Sequence, residues 1–264
     1  MEYRVVDVFA EAPLQGNPLT VVLDAVGLSS EMMQAIASET NHSETTFVTG
    51  PERDGAWPVR IFTPKTELPF AGHPTLGTAH VLGAKALDLK VGRIPVRREG
   101  DLWWMAQKPA EIGPAYEAGM LESCLGVPAA GHVVSTGTPV GIVRVADSDA
   151  VRTASLEPTK YKGPEVAGLY VFATDSDHDI HARFFAPFVG IQEDPATGGA
   201  AGPLAGWLHA KGELDGRRVI SQGIERGRPS LLHIAYDGTP QVGGKVQDVA
   251  RGKFVTFPKA PDPR

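Results

Sequence analysis

The sequence is short of the residues on which several common chemistries depend. It has one cysteine, Cys124, in 264 residues, so no intramolecular disulfide can form and no two-thiol chemistry is available. Without a disulfide framework nothing points to an oxidising compartment, and a cytoplasmic location is expected. Positive charge is scarce too: 25 Lys and Arg against 31 Asp and Glu leave a net charge of −6 and a pI near 5.8. That balance argues against nucleic acid or an anionic membrane as a partner. No apolar run reaches the roughly 20 residues of a membrane helix, and the alternating start from Met1 to Phe9 has no signal-peptide core. There is no Walker A loop and no Gly-x-Ser-x-Gly elbow, and Gly198-Gly-Ala-Ala-Gly202 does not follow the dinucleotide fingerprint. Heptads, low-complexity tracts and long charge runs are missing as well.

What is abundant is Gly and Pro, 30 and 22 residues, which implies many turns and many short strands, as in barrels or sandwiches. One stretch also occurs twice. The first copy reads Arg60-Ile-Phe-Thr-Pro64, then Glu67-Leu-Pro-Phe-Ala-Gly-His-Pro-Thr-Leu-Gly-Thr-Ala79. The second reads Arg183-Phe-Phe-Ala-Pro187, then Glu193-Asp-Pro-Ala-Thr-Gly-Gly-Ala-Ala-Gly-Pro-Leu-Ala205. The copies stand close to half a chain apart, so a duplicated half is the economical expectation. Chance similarity of turn-rich segments is the alternative.

Each copy leads from a short apolar strand through a turn into a helix that opens on small residues. In the first, Pro74 suits the first helical position, which puts His73 at the N-cap and ends the helix near Gly83. In the second, Thr197 or Gly198 starts a helix that runs to Gly212. Neither has a charged face, so both are expected to be buried. Two buried helix N-termini would offer unpaired N–H groups and positive dipole ends suited to a carboxylate. The segment 108–114 is expected as a linker, and Cys124 is expected on a surface helix.

Three titratable residues flank these helices. Glu44 lies in a strand, Asn41 to Val48, whose alternation places Glu44, Thr46 and Val48 on one face and Thr45 and Phe47 on the other. Buried near a cleft it would be a general acid/base; an edge charge facing water is the alternative. His73 is an unusual cap, and Asp194 before the second helix would be a routine turn residue in isolation. If the halves face each other, the three can converge. Asp177-His-Asp-Ile-His181 carries metal-capable side chains but lacks a convincing further ligand, so no metal site is expected.

These motifs resemble the phenazine-biosynthesis isomerase family, PhzF. The resemblance rests on Val6-Asp-Val-Phe-Ala10, Gly16-Asn-Pro18, Asn41-His-Ser-Glu-Thr-Thr-Phe-Val48, the two repeated stretches and Ser221-Gln-Gly-Ile-Glu-Arg-Gly-Arg-Pro-Ser230. It implies an α+β, diaminopimelate-epimerase-like fold: two pseudo-symmetric halves, each a β-barrel around a central buried helix. The halves would be 1–112 and 113–264, with the last strand, about 249–260, able to return to the first. It implies a homodimer, a small carboxylic-acid substrate and a reaction without metal or organic cofactor. Glu44 matches the family's proton-shuttling glutamate, and His73 and Asp194 match residues that hold and polarise the substrate. Ser43, Gly72, Gly198 and Gly199 match pocket positions, and Asn17 is grouped with them as substrate-binding. The family commonly has Ser after the Gly that follows the motif's Thr, where this chain has Gly199. The expected reaction is therefore an isomerisation of a small cyclic amino or hydroxy acid such as a dihydro-hydroxyanthranilate. Isomerisation or epimerisation of another amino-acid-like metabolite, and binding without turnover, are the alternatives.

Overall fold

The computed structural model describes residues 1–174 and 179–255, so Asp177 and His178 of the metal-capable stretch lie outside the described residues. The first half of the chain folds as β1 (Glu2–Val8), β2 (Asn17–Val22), α1 (Ser30–Thr40), β3 (Glu44–Val48), β4 (Trp57–Phe62), β5 (Glu67–Leu68), α2 (Gly72–Leu82), β6 (Ala86–Leu89), β7 (Gly92–Glu99) and β8 (Leu102–Ala106). There follow β9 (Glu111–Ala115), α3 (Met120–Leu125), β10 (Ala130–Ser135), β11 (Pro139–Arg144), α4 (Ser148–Thr153), β12 (Leu169–Ala173), β13 (Ile180–Ala186), β14 (Ile191–Asp194), α5 (Gly198–Ala210), β15 (Arg217–Gln222), β16 (Ser230–Asp237), β17 (Thr239–Gly244) and β18 (Val246–Lys253).

The strand pairings write the same sentence twice. One ladder runs β18-β1-β2-β3-β4-β6-β7-β8, and the other β9-β10-β11-β12-β13-β15-β16-β17. Both are antiparallel except at matching places: β2 with β3 and β11 with β12, then β4 with β6 and β13 with β15, are parallel. The short strands β5 and β14 occupy equivalent side positions, each leading into its helix, α2 or α5. The two ladders join where β8 pairs with β17, which are equivalent strands. This α+β architecture of two pseudo-symmetric halves is the expected one. The segment expected as a linker becomes β9 from Glu111 onward, because Ile112 and Ala115 find partners in Val134 and His132 of β10.

Each ladder curls around its own helix. Helix α2 packs on β1, β2, β3, β6, β8 and β18, and α5 on β10, β11, β16 and β17. Both are buried along most of their length, including Gly72–Ala79 and Ala200–Leu208. Leu76, Ala79, Leu204 and Leu208 belong to one core that also holds Val6, Leu19, Met105, Ile142, Ile220 and Ile234, so a single apolar cluster spans both halves. Smaller clusters lie under α1 and under α3 and α4. Cys124 is in the latter, 1% exposed, and not on the surface as expected. Its neighbours Leu121 and Leu125 are equally buried, and they turn this short helix inward. Among the described residues no helix is long and apolar enough to cross a membrane.

Candidate active site

The two helix N-termini meet. A Cβ on Gly72 would stand 2.8 Å from the Gly198 carbonyl carbon and from the Gly199 nitrogen, so only glycine allows this approach. Helix α2 starts two residues earlier than the sequence suggests, with Ala71 as its N-cap and no side-chain cap. Pro74 is its third residue; a proline in the first turn loses no intrahelical hydrogen bond, so it is as compatible there as at the first position. The Thr75 N–H and hydroxyl both donate to the Ala71 carbonyl, at 3.4 and 2.8 Å, and fix this start. His73 is thus inside the first turn and not the cap.

Strand β3 delivers Glu44. Its parallel pairing sets Glu44 opposite Leu19 of β2, and its alternation sorts the side chains as the sequence implies. Thr46 shares a hydrogen bond of 2.8 Å with Thr78 of α2, so the face of Glu44, Thr46 and Val48 looks onto the buried helix. Phe47 on the opposite face packs with Met33 and Ile36 of α1. Glu44 is 8% exposed and His73 4%, which excludes the solvent-facing alternative for Glu44. Glu44 Oε2 and His73 Nε2 lie 3.3 Å apart. Neither atom has a hydrogen-bond partner.

The imidazole in this contact is neutral, so the contact is not an ion pair. Burial pushes the His73 imidazole down to about 3, against the opposing pull of a hydrogen bond to the Pro18 carbonyl and with a smaller push from His42. Burial, and then the charge of Asp194, raise the Glu44 carboxyl well above the usual carboxylate range.

Asp194 ends β14 from the other half and is also 8% exposed. Its Oδ1 accepts from Asn17 Nδ2 at 2.9 Å and its Oδ2 from the Thr197 hydroxyl at 2.6 Å. Burial raises it to about 6 although these two hydrogen bonds pull it down; Glu193 adds a further push upward. Asn17 is fully buried, and its second donor goes to the Ala196 carbonyl at 2.9 Å, so its Nδ2 is committed to the Asp194 turn. Gly198 is buried against Phe9 and Gly72, whereas a Cβ on Gly199 would meet nothing within 4 Å. Ser43 is half-buried just ahead of β3.

The structure therefore brings together Glu44, His73, Asp194, Asn17, Gly72, Gly198 and Gly199. The sequence offers Thr197 only as a helix start and gives no role to Tyr170 and Gln222, yet all three surround Asp194. Gln222 lies within a motif that carries the family resemblance, and that was its only signal. Among the described residues no three His, Cys, Asp or Glu side chains cluster as a metal site.

The chemistry this arrangement can perform is proton transfer. A buried carboxyl with one unpartnered oxygen stands beside a neutral imidazole and a second, hydrogen-bonded carboxylate, under two helix N-termini that favour an anion.

Known proteins share both sequence and fold. A protein of Pseudomonas aeruginosa named trans-2,3-dihydro-3-hydroxyanthranilate isomerase is 38% identical over 261 residues, covering 89% of this chain and 90% of its own. A solved structure from Pseudomonas aeruginosa, described as a predicted epimerase, superposes with a TM-score of 0.81 at 33% identity, covering 97% of this chain and 99% of that one. A probable proline racemase from Agrobacterium radiobacter shares the fold alone, with a TM-score of 0.65 at 12% identity over 98% of this chain and 94% of that one. The family model described as phenazine biosynthesis-like protein, PhzC-PhzF, matches residues 6–258, and the chain belongs to that family of isomerases.

Proposed function

We propose that the protein moves a proton on a small cyclic amino or hydroxy acid, most closely trans-2,3-dihydro-3-hydroxyanthranilate, with Glu44 as the shuttle. The observation that carries this is the Glu44 carboxyl: almost fully buried, with Oε2 unpartnered and 3.3 Å from His73 Nε2. In the proposed reaction the substrate carboxylate is received by first-turn N–H groups of α2 and α5. A substrate amine, entering unprotonated next to Asp194, takes up the proton of the resting Glu44 carboxyl, and the ammonium so formed neutralises the Asp194 charge, one of the two causes that raise Glu44. Glu44, ionised, takes the proton from the ring carbon bearing the hydroxyl. The electron pair left behind enters the conjugated system as an enol, and Glu44 returns the same proton to another carbon of that system. The enol then becomes the ketone, so atoms and charge balance without an outside acid. Neutral His73 accepts or donates a hydrogen bond at the hydroxyl as it becomes a carbonyl oxygen.

A second reading is an isomerase or epimerase for a different amino-acid-like metabolite. The open space at Gly199, where a Cβ meets nothing within 4 Å, favours it, since the site there admits a bulkier ligand. Incubating the pure protein with trans-2,3-dihydro-3-hydroxyanthranilate in D₂O, without added metal or cofactor, separates the two. Loss of substrate absorbance with an altered product NMR spectrum is expected, and Glu44→Gln is expected to lower turnover by about 10³-fold or more while still binding. Retention of even a tenth of the activity by Glu44→Gln removes Glu44 from the shuttle role. No consumption by the folded wild type transfers the proposal to the second substrate class.

A further inference from the structure

Asp194 stands at the end of a hydrogen-bond chain with a defined direction. The Tyr170 phenol on β12 donates to Gln222 Oε1 at 2.9 Å, and the Thr197 N–H donates to the same oxygen at 3.1 Å. Two donors on that side fix the amide orientation, so Gln222 Nε2 faces away. It donates to the Asp194 carbonyl at 2.9 Å and to Thr197 Oγ1 at 3.1 Å. A threonine hydroxyl has one hydrogen. With Oγ1 already accepting from Gln222, that hydrogen is directed to Asp194 Oδ2, 2.6 Å away. Asn17 supplies the donor for Oδ1. Both oxygens of Asp194 therefore meet donors, while Glu44 Oε2 meets none. Gln222 is fully buried and both polar atoms of its side chain are used. Burial and the charge of Asp194 push the Tyr170 phenol up, which keeps it a donor.

We infer that Gln222 is a positioning residue which, through Thr197, keeps Asp194 the acceptor of the pair and leaves the site's proton on Glu44. A shuttle that rests loaded follows from this, and that consequence rests on the role proposed above for Glu44. The proton distribution itself does not, and it is measurable without substrate. The titratable groups facing the two carboxyls are His73 on α2 with His42 behind it, Glu193 beside Asp194 on β14, and Tyr170 on β12. None of them is changed in the variants that follow.

The test is a carbon-13 NMR titration of protein labelled at the Asp and Glu carboxyl carbons, with the Asp194 resonance assigned by its loss in Asp194→Asn. Thr197→Val deletes the last link of the chain, Thr197→Ser retains it, and Gln222→Met deletes the link that directs it. The Asp194 midpoint is expected to rise by about one pH unit in Thr197→Val, which removes a hydrogen bond to the charged form, to rise in the same direction in Gln222→Met, which frees the Thr197 hydroxyl to turn away from it, and to stay in place in Thr197→Ser. If Gln222→Met does not fold, the smaller and still polar Gln222→Asn takes its place. An unmoved midpoint in Thr197→Val overturns the directed chain, and a rise there with none on changing Gln222 overturns the role of Gln222. Isomerase assays of the same variants report separately on the proposed reaction, so loss of one conclusion leaves the other standing or falling on its own measurement.

Discussion

Gly199 is the second residue of α5, as His73 is the second residue of α2. The pseudo-symmetry therefore puts an imidazole in one half where the other half has a hydrogen atom. The neighbouring glycines have a different cause: Gly72 and Gly198 let two helix starts touch, and a Cβ on Gly72 meets backbone at 2.8 Å. Gly199 has no such constraint. We predict that Gly199→Ser folds with a melting temperature within about 3 °C of wild type, because the new side chain meets no clash and serine costs a helix less than glycine. If the substrate carboxylate sits at this helix start, the added hydroxyl donates to it, worth about 1.5 kcal/mol, or roughly a tenfold lower KM. Thermal melts and steady-state kinetics check both parts. An unchanged KM in the folded variant places Gly199 out of reach of the ligand.

The repeated strand-turn-helix unit is braced in each half by the same pair of residues. Arg60 makes a two-pronged bond to Glu67, with distances of 2.8 and 2.9 Å, and Arg183 does the same to Glu193 at 2.9 and 2.8 Å. Each pair ties the β4 or β13 strand to the short strand that aims the following helix. The two are not equally deep: Arg183 and Glu193 are 12% and 11% exposed, Arg60 and Glu67 30% and 19%. Arg183 also donates to the carbonyls of Val151, Arg152 and Ala154 at 3.3, 3.0 and 2.8 Å and so closes the end of α4. Lysine cannot reproduce the planar fork. Arg183→Lys is expected to cost about 2–3 kcal/mol in urea unfolding and Arg60→Lys about 1 kcal/mol or less. Equal losses would show that depth and the α4 carbonyls add nothing. These residues also mark the limit of what the sequence discloses. Their spacing revealed the duplication, but the bond between Arg and Glu depends on the hairpin pairing of Ile61 with Leu68 and of Phe184 with Asp194. The face on which Glu44 lies, though not its burial, followed from strand alternation, since β3 is buried on both faces. The start of α2 did not, since Pro74 fits either of two first-turn positions. Tyr170 and Gln222 read as ordinary strand residues, and only the fold, by setting β12 and β15 on either side of β13, brings them to Asp194.

Although the frame is repeated, the chemistry is not. Strand register makes Val171 the counterpart of Phe47, since each pairs with the repeated arginine, and three residues earlier Glu44 has Gly168 as its counterpart. Asp194 likewise has Leu68. Two halves of the same strand order thus pool one carboxyl each in a common buried site, at a cost to the whole molecule. Both carboxyls titrate higher in the folded chain than in the unfolded one. Their neutral forms favour the fold, so this contribution is complete below the unfolded value near 4 and is lost as pH rises through the folded value, about 6 for Asp194. Glutamine at position 44 is neutral at every pH. Toward pH 5 the raised Glu44 carboxyl moves to its neutral form, and there Glu44→Gln and wild type should melt within about 2 °C of each other. At pH 9 the variant should melt several degrees higher, because it escapes the charge that wild type must bury. Its catalytic loss and its alkaline stability would then share one cause, the removal of an ionisable oxygen from a site built for function at the expense of stability. Superimposable melting temperatures from pH 5 to 9 would show that Glu44 bears no such burden, and the raised carboxyl on which the shuttle depends would fall with it.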